Sequence, residues 1–97
     1  MSVMAVPATV ERVANALHIS ADKLMQRSVR AFLRQEMRAA QMDIADLQDR
    51  YGVMDAVGLQ KEIEQGEIYS HPAWENSIEW EQLESHLTHL ERLLDDV

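Results

Sequence analysis

Four side chains are of the type that most readily ligates a metal: His18, His71, His86 and His89. His86 and His89 are three apart and reach one face of a helix, a spacing that two metal ligands can use. A resident metal needs a third ligand held by the fold, and none is indicated. Glu84 and Glu91 nearby read as solubility charges, and His18 and His71 fall at element boundaries. No metal is expected. Cysteine is absent, which excludes disulfides, zinc–thiolate and iron–sulfur sites and thiol catalysis. There is no glycine-rich phosphate loop and no Ser/His/Asp order in a supporting context. A short helical chain with few loops leaves little room for a preorganised pocket. The chain is therefore expected to be no enzyme, with no cofactor and no small-molecule substrate.

Two groups of residues carry binding chemistry instead. Lys23, Arg27, Arg30, Arg34 and Arg38 fall within a strip about 80° wide at about 100° per helical residue. The apolar side beginning with Met25, Val29, Phe32 and Leu33 lies nearly opposite. Such a strip reads as a phosphate-contacting surface, as a groove for an acidic partner, or as a solvated face paired with the chain's own acidic residues. Trp74 and Trp80 stand in His-Pro-Ala-Trp-Glu-Asn-Ser-Ile-Glu-Trp. They are either core residues or anchors for a partner, since Trp is enriched at interface hot spots.

The elements that position these residues are helices. Residues 1–7 are uncharged, hold Val3 and Val6 and close on Pro7, which suits a short extended segment. Val10, Val13, Ala14 and Leu17 then follow helical spacing. Ser20 is a natural N-cap for a long helix from Ala21 to about Tyr51, which contains neither Gly nor Pro. Its apolar residues settle into steps of four and three: Leu33, Met37, Ala40, Ile44, Leu47, Tyr51. Gly52 ends it. Asp55 caps a third helix, Ala56 to Gln65, with Val57, Leu59 and Ile63 as its apolar contacts, and Pro72 opens a fourth. There Trp80, Leu83, Leu87, Leu90 and Leu94 repeat the heptad steps. Two such stripes in one chain call for an antiparallel hairpin or an intermolecular coil.

The chain has 97 residues and a net charge of −8. That length rules out a large α/β enzyme and makes oligomerisation an expected source of stability. Residues 1–50 carry seven basic and six acidic side chains; residues 51–97 carry two basic and eleven acidic. Such a split suits two tasks, one compatible with an anionic partner and one with a cationic partner. No apolar run approaches the ~20 residues of a membrane span, and the first residues lack a leader pattern. A cytoplasmic location is expected.

The first 38 residues resemble the ribbon-helix-helix family. The resemblance rests on Val6-Pro7, the short helix Thr9–Leu17, the turn His18-Ile19-Ser20, and Ser28-Val29-Arg30-Ala31-Phe32-Leu33. His18 stands where that family often has Gly. The resemblance implies an intermolecular strand ribbon, a homodimer core of Met4, Val6, Val10, Val13, Leu17, Val29, Phe32 and Leu33, and a DNA phosphate contact at Ser20, Lys23 and Arg27. Val3 and Ala5 would point outward from the ribbon, and neither can hydrogen-bond to a base edge. The stretches Lys61–Ile68 and His71–Glu75 are similar to the acidic extensions of antitoxins from bacterial toxin–antitoxin pairs.

The expected architecture is mainly all-α, with a short N-terminal strand and four helices, the second and fourth long. Residues 1–50 form a dimerisation module and residues 51–97 an acidic helical arm. The first functional expectation is an antitoxin-like homodimer that neutralises a small basic toxin, of ribonuclease type, and binds operator DNA. Trp74, Glu75, Ile78, Glu79, Trp80 and Glu81 would meet the toxin. The alternative is a homo-oligomeric helical scaffold that binds no nucleic acid.

Overall fold

The computed structural model describes residues 6–97, which are mainly helical. Helix α1 spans Ala8–Leu17, α2 Ala21–Tyr51, α3 Ala56–Glu64 and α4 Ser70–Asp96. No strand occurs among the described residues. The expected ribbon falls mostly on residues 1–5, so that Val3, Met4 and Ala5 lie outside them. Val6 and Pro7 are in neither helix nor strand. A ribbon needs a second strand to satisfy its backbone groups, and a single chain offers none.

Local chemistry sets each boundary. His18 takes the left-handed conformation, φ 58° and ψ 41°, and stops α1. The Ile19 N–H returns to the Ala14 carbonyl at 3.0 Å, closing the helix end. Two residues later Ser20 Oγ accepts from the Lys23 N–H at 3.1 Å and starts α2. Gly52, at φ 67°, ends α2 with its N–H on the Gln48 carbonyl at 2.8 Å. Asp55 Oδ1 accepts from the Gly58 N–H at 2.7 Å and opens α3. Gln65 is the C-cap of α3 and not its last turn. In α4 the backbone breaks at His71 (φ −119°, ψ 124°), as the residue before a proline tends to, and the helix runs on from Pro72.

The long helices run antiparallel. Asn76 near the start of α4 donates to Tyr51 Oη at the end of α2, and Arg30 in α2 donates to the Val97 carbonyl beyond the end of α4. The two heptad stripes therefore close on each other inside one chain. The core gathers Leu47, Ala56, Leu59, Ala73 and Trp80, with Ile44, Tyr51, Val53, Ile63, Ile68 and Leu83 packed around it. This cluster crosses the expected boundary at residue 50, so α3 and α4 share one core with the end of α2. Small residues make room for the indole: Ala56, Ala73 and Ser77 are all buried, and Ser77 Oγ donates to the Trp74 carbonyl at 2.7 Å. Val57 is not a core contact of α3 but more than half exposed. Ala56 takes that place, because the buried face of α3 runs through positions 56, 59 and 63.

The other end of the molecule is thinly packed. The α1 helix rests on α2 and buries only Ala14. The whole is elongated, 60 × 30 × 20 Å.

Candidate protein-binding surfaces

The two tryptophans part company. They are six residues apart, about 120° around the helix. Trp80 turns inward and is 0% exposed, whereas Trp74 is 49% exposed. Trp80 is thus removed from the expected partner surface: it belongs to the α4 stripe with Leu83 and Leu90 and is spent on the chain's own core. Trp74 and Ile78 stay on the outer face one turn apart, and Glu75, Glu79 and Glu81 are exposed beside them. Glu81 has a neighbour in the chain, the Gln60 amide that donates to its carboxylate. His71 Nδ1 lies 3.3 Å from Glu75 Oε1, both well exposed.

Acid dominates this end. Residues 41–87, which form the end of α2, α3 and most of α4, hold eleven Asp and Glu against Arg50 and Lys61. One of these acids does structural work that spacing does not reveal. Glu84 accepts the Ala56 N–H at 3.4 Å, across a separation of 28 residues, and helps satisfy the start of α3. It is not simply a solubility charge.

A second apolar surface lies at the opposite end. Met25, Val29 and Phe32 recur at helical spacing along α2, and Val10, Val13 and Leu17 do so along α1. Phe32 is 57% exposed and Leu17 62%, with Val13 and Val29 also exposed. Val6 and Val10 are half-buried. Leu33 is buried within the chain and is not free for a partner, because it stands on the α2 stripe that turns to α4. Of the expected dimer core, therefore, Val13, Leu17, Val29 and Phe32 remain available. A shallow cleft beside them is lined by Met25, Gln26, Val29, Asp96 and Val97.

The basic strip is also divided. Lys23, Arg27, Arg34 and Arg38 are exposed, and none has a carboxylate within ion-pair distance among the described residues. Arg30 leaves the strip, half-buried against the end of α4 with its Nε lacking a partner. It sits at the edge of the strip nearest the α2 stripe that α4 covers. Of the expected phosphate contacts, Lys23 and Arg27 are open, and Ser20 is exposed but already engaged as the cap of α2.

Among the described residues no three of His, Asp and Glu gather into a metal-holding group. No helix there is long and apolar enough to cross a membrane. A model of the Uncharacterized protein MJ0235 family matches residues 1–97. No curated protein and no solved structure matches the chain.

Proposed function

The chain belongs to the MJ0235 family, and we propose that it is a non-enzymatic protein-binding module of antitoxin type. A homodimer joined through α1 and the first half of α2 presents an acidic end on each subunit. That end covers a small basic protein, of ribonuclease type, and blocks its access to RNA. One observation carries the reading: Trp74 and Ile78 stand exposed, one turn apart, among glutamates on an end with eleven acids and two cations. Apolar anchors supply affinity, and the surrounding charge speeds encounter and selects a cationic partner. Because α4 already packs on α2 and α3, the surface is formed before the partner arrives, which lowers the ordering cost of binding. That differs from an extended arm wrapping its target.

The test is co-purification of the tagged protein from its own cells, followed by identification of what remains bound at moderate salt. A small, basic, stoichiometric partner is expected, and Trp74→Ala should weaken its binding by about 2 kcal/mol, near thirtyfold. Unchanged affinity in Trp74→Ala would remove the anchor role.

A second reading is favoured by the closure of the α2 and α4 stripes within one chain. It is a homo-oligomeric scaffold, in which the exposed face of α1 and α2 meets only further copies. Recovery of the protein alone, as a stable oligomer, would select it.

A further inference from the structure

Helix α1 is held less firmly than the other helices. Its ten residues pack on α2 and bury one side chain, Ala14. Val13 and Leu17 stay exposed, and Val10 is half-buried. Length is not the cause. Helix α3 is a residue shorter, yet its Ala56 and Leu59 are fully buried and Ile63 packs on the core. A methyl group is the smallest apolar side chain, so its burial offsets little of the entropy lost in ordering a ten-residue helix. A free helix of that length is itself marginal in water.

The ends of α1 add little. Pro7 stands at its N-cap without a side-chain cap bond, and its last turn holds no basic residue to meet the helix dipole. Among the described residues no side-chain hydrogen bond or ion pair joins α1 to another element. The turn back to α2 holds His18 at φ 58°, a left-handed conformation that any side chain beyond glycine disfavours. That strain is released when α1 leaves α2. Helix α2 does not need α1 in order to start. Ser20 caps it through the Lys23 N–H, and the Leu24 N–H bonds to the Ser20 carbonyl. Its buried residues are Leu33, Ala40 and Leu47, on the stripe that α4 covers.

We propose that α1 is a latch, which opens at residues 18–20 while α2, α3 and α4 stay folded. Closed, it adds Val13 and Leu17 to the exposed apolar side chains of α2, Val29 and Phe32; open, it withdraws them. The latch thereby controls self-association, a role that rests on the homodimer proposed above. A second copy that contacts α1 binds only the closed chain, so closure and dimerisation reinforce each other.

The experiment is native-state hydrogen exchange of the full chain, followed by nuclear magnetic resonance at low and at high protein concentration. The amides of residues 11–19, which are hydrogen-bonded only when the latch is closed, are compared with those of residues 40–47 in α2 and 77–90 in α4. At the low concentration the α1 amides should exchange at least roughly a hundredfold faster than both core segments. Equal protection of all three would overturn the proposal, since α1 would then open only with the whole chain. Ala14→Glu should hold the latch open: the helical signal in circular dichroism falls by the ten residues of α1, and core protection stays as it was. Collapse of core protection in that variant would also overturn it. His18→Gly should slow exchange of α1 by up to about fivefold, because the closed turn is no longer strained; unchanged or faster exchange would refute the hinge. High concentration should slow exchange of α1 further. Fast exchange of α1 at both concentrations alike would uphold the latch and remove the homodimer reading.

Discussion

The separation of Trp80 from Trp74 can be tested by removing each in turn. A buried Trp covers about 150–250 Å², and at about 25 cal/mol per Å² its removal from water is worth about 4–6 kcal/mol. Against this stands the Trp80 indole N–H, which is buried without a hydrogen-bond partner and costs about 1–3 kcal/mol. The two together leave a loss of about 1–5 kcal/mol for Trp80→Ala, and the cavity left behind places it in the upper part of that range, about 3–5 kcal/mol. In a chain of this size that lowers the melting temperature by about 15–30 °C. Trp74 is half-exposed, so Trp74→Ala forfeits about half the burial, about 2–3 kcal/mol at most. Thermal melts followed by far-ultraviolet circular dichroism at one fixed concentration compare the two. Fluorescence gives a second readout: with Trp74→Phe, the remaining Trp80 should emit at short wavelength and resist quenching by acrylamide. A Trp80→Ala melt within a few degrees of the parent would refute the packing argued for α3 and α4. Equal losses from both tryptophans would refute their division into core and surface.

Further outcomes follow from single positions. His18 adopts φ 58°, which costs a side chain about 1–2 kcal/mol; His18→Gly relieves this but frees the unfolded chain, so urea denaturation should show a net gain of up to about 1 kcal/mol. Asp55→Ala removes the cap on the Gly58 N–H and should lower stability by about 1 kcal/mol in the same assay. Phe32→Glu puts a charge into the exposed face of α1 and α2 through which we propose the homodimer forms, and sedimentation should shift from dimer to monomer with helix content retained; an unchanged dimer would place the contact elsewhere.

Much of this fold could be read from particular residues, and the misses share a cause. Ser20, Gly52, Asp55 and Pro72 each act through neighbours a few residues away, so helix starts and stops are written locally. The stripes 33–51 and 80–94 are equally local, but their pairing within one chain is not, because a second copy would bury the same apolar surface. Trp80 lies on that stripe by angle alone, and its periodicity was a better guide than the general enrichment of Trp at interfaces. Glu84 and Arg30 are different. One satisfies a backbone N–H 28 residues earlier, and the other meets the carbonyl of a residue 67 positions later. Neither partner can be known before the helices are set side by side. Trp74 and Ile78 stand exposed because α3 packs against one side of α4 and leaves the other open, a division that spacing within α4 does not reveal.

The long α2 helix explains why exposed apolar residues occur at both ends. Its second half is used up by the chain's own core, where Leu47 meets α3 and α4. Its first half is covered on one side by α1, a helix of ten residues that buries one side chain. Isolated helices shorter than about 12–15 residues are marginal in water, and their stability in proteins comes from packing an apolar face. Ala14 alone gives α1 little of that, while Val13 and Leu17 stay in solvent. A second copy laid on this face would bury both residues, with Val29 and Phe32, and would hold α1 in place. It would leave the cations of α2 uncovered, because they project from the opposite side of the helix. The exposed face of α1 and α2, the cations of α2 and the acidic end thus occupy three separate surfaces of one elongated chain.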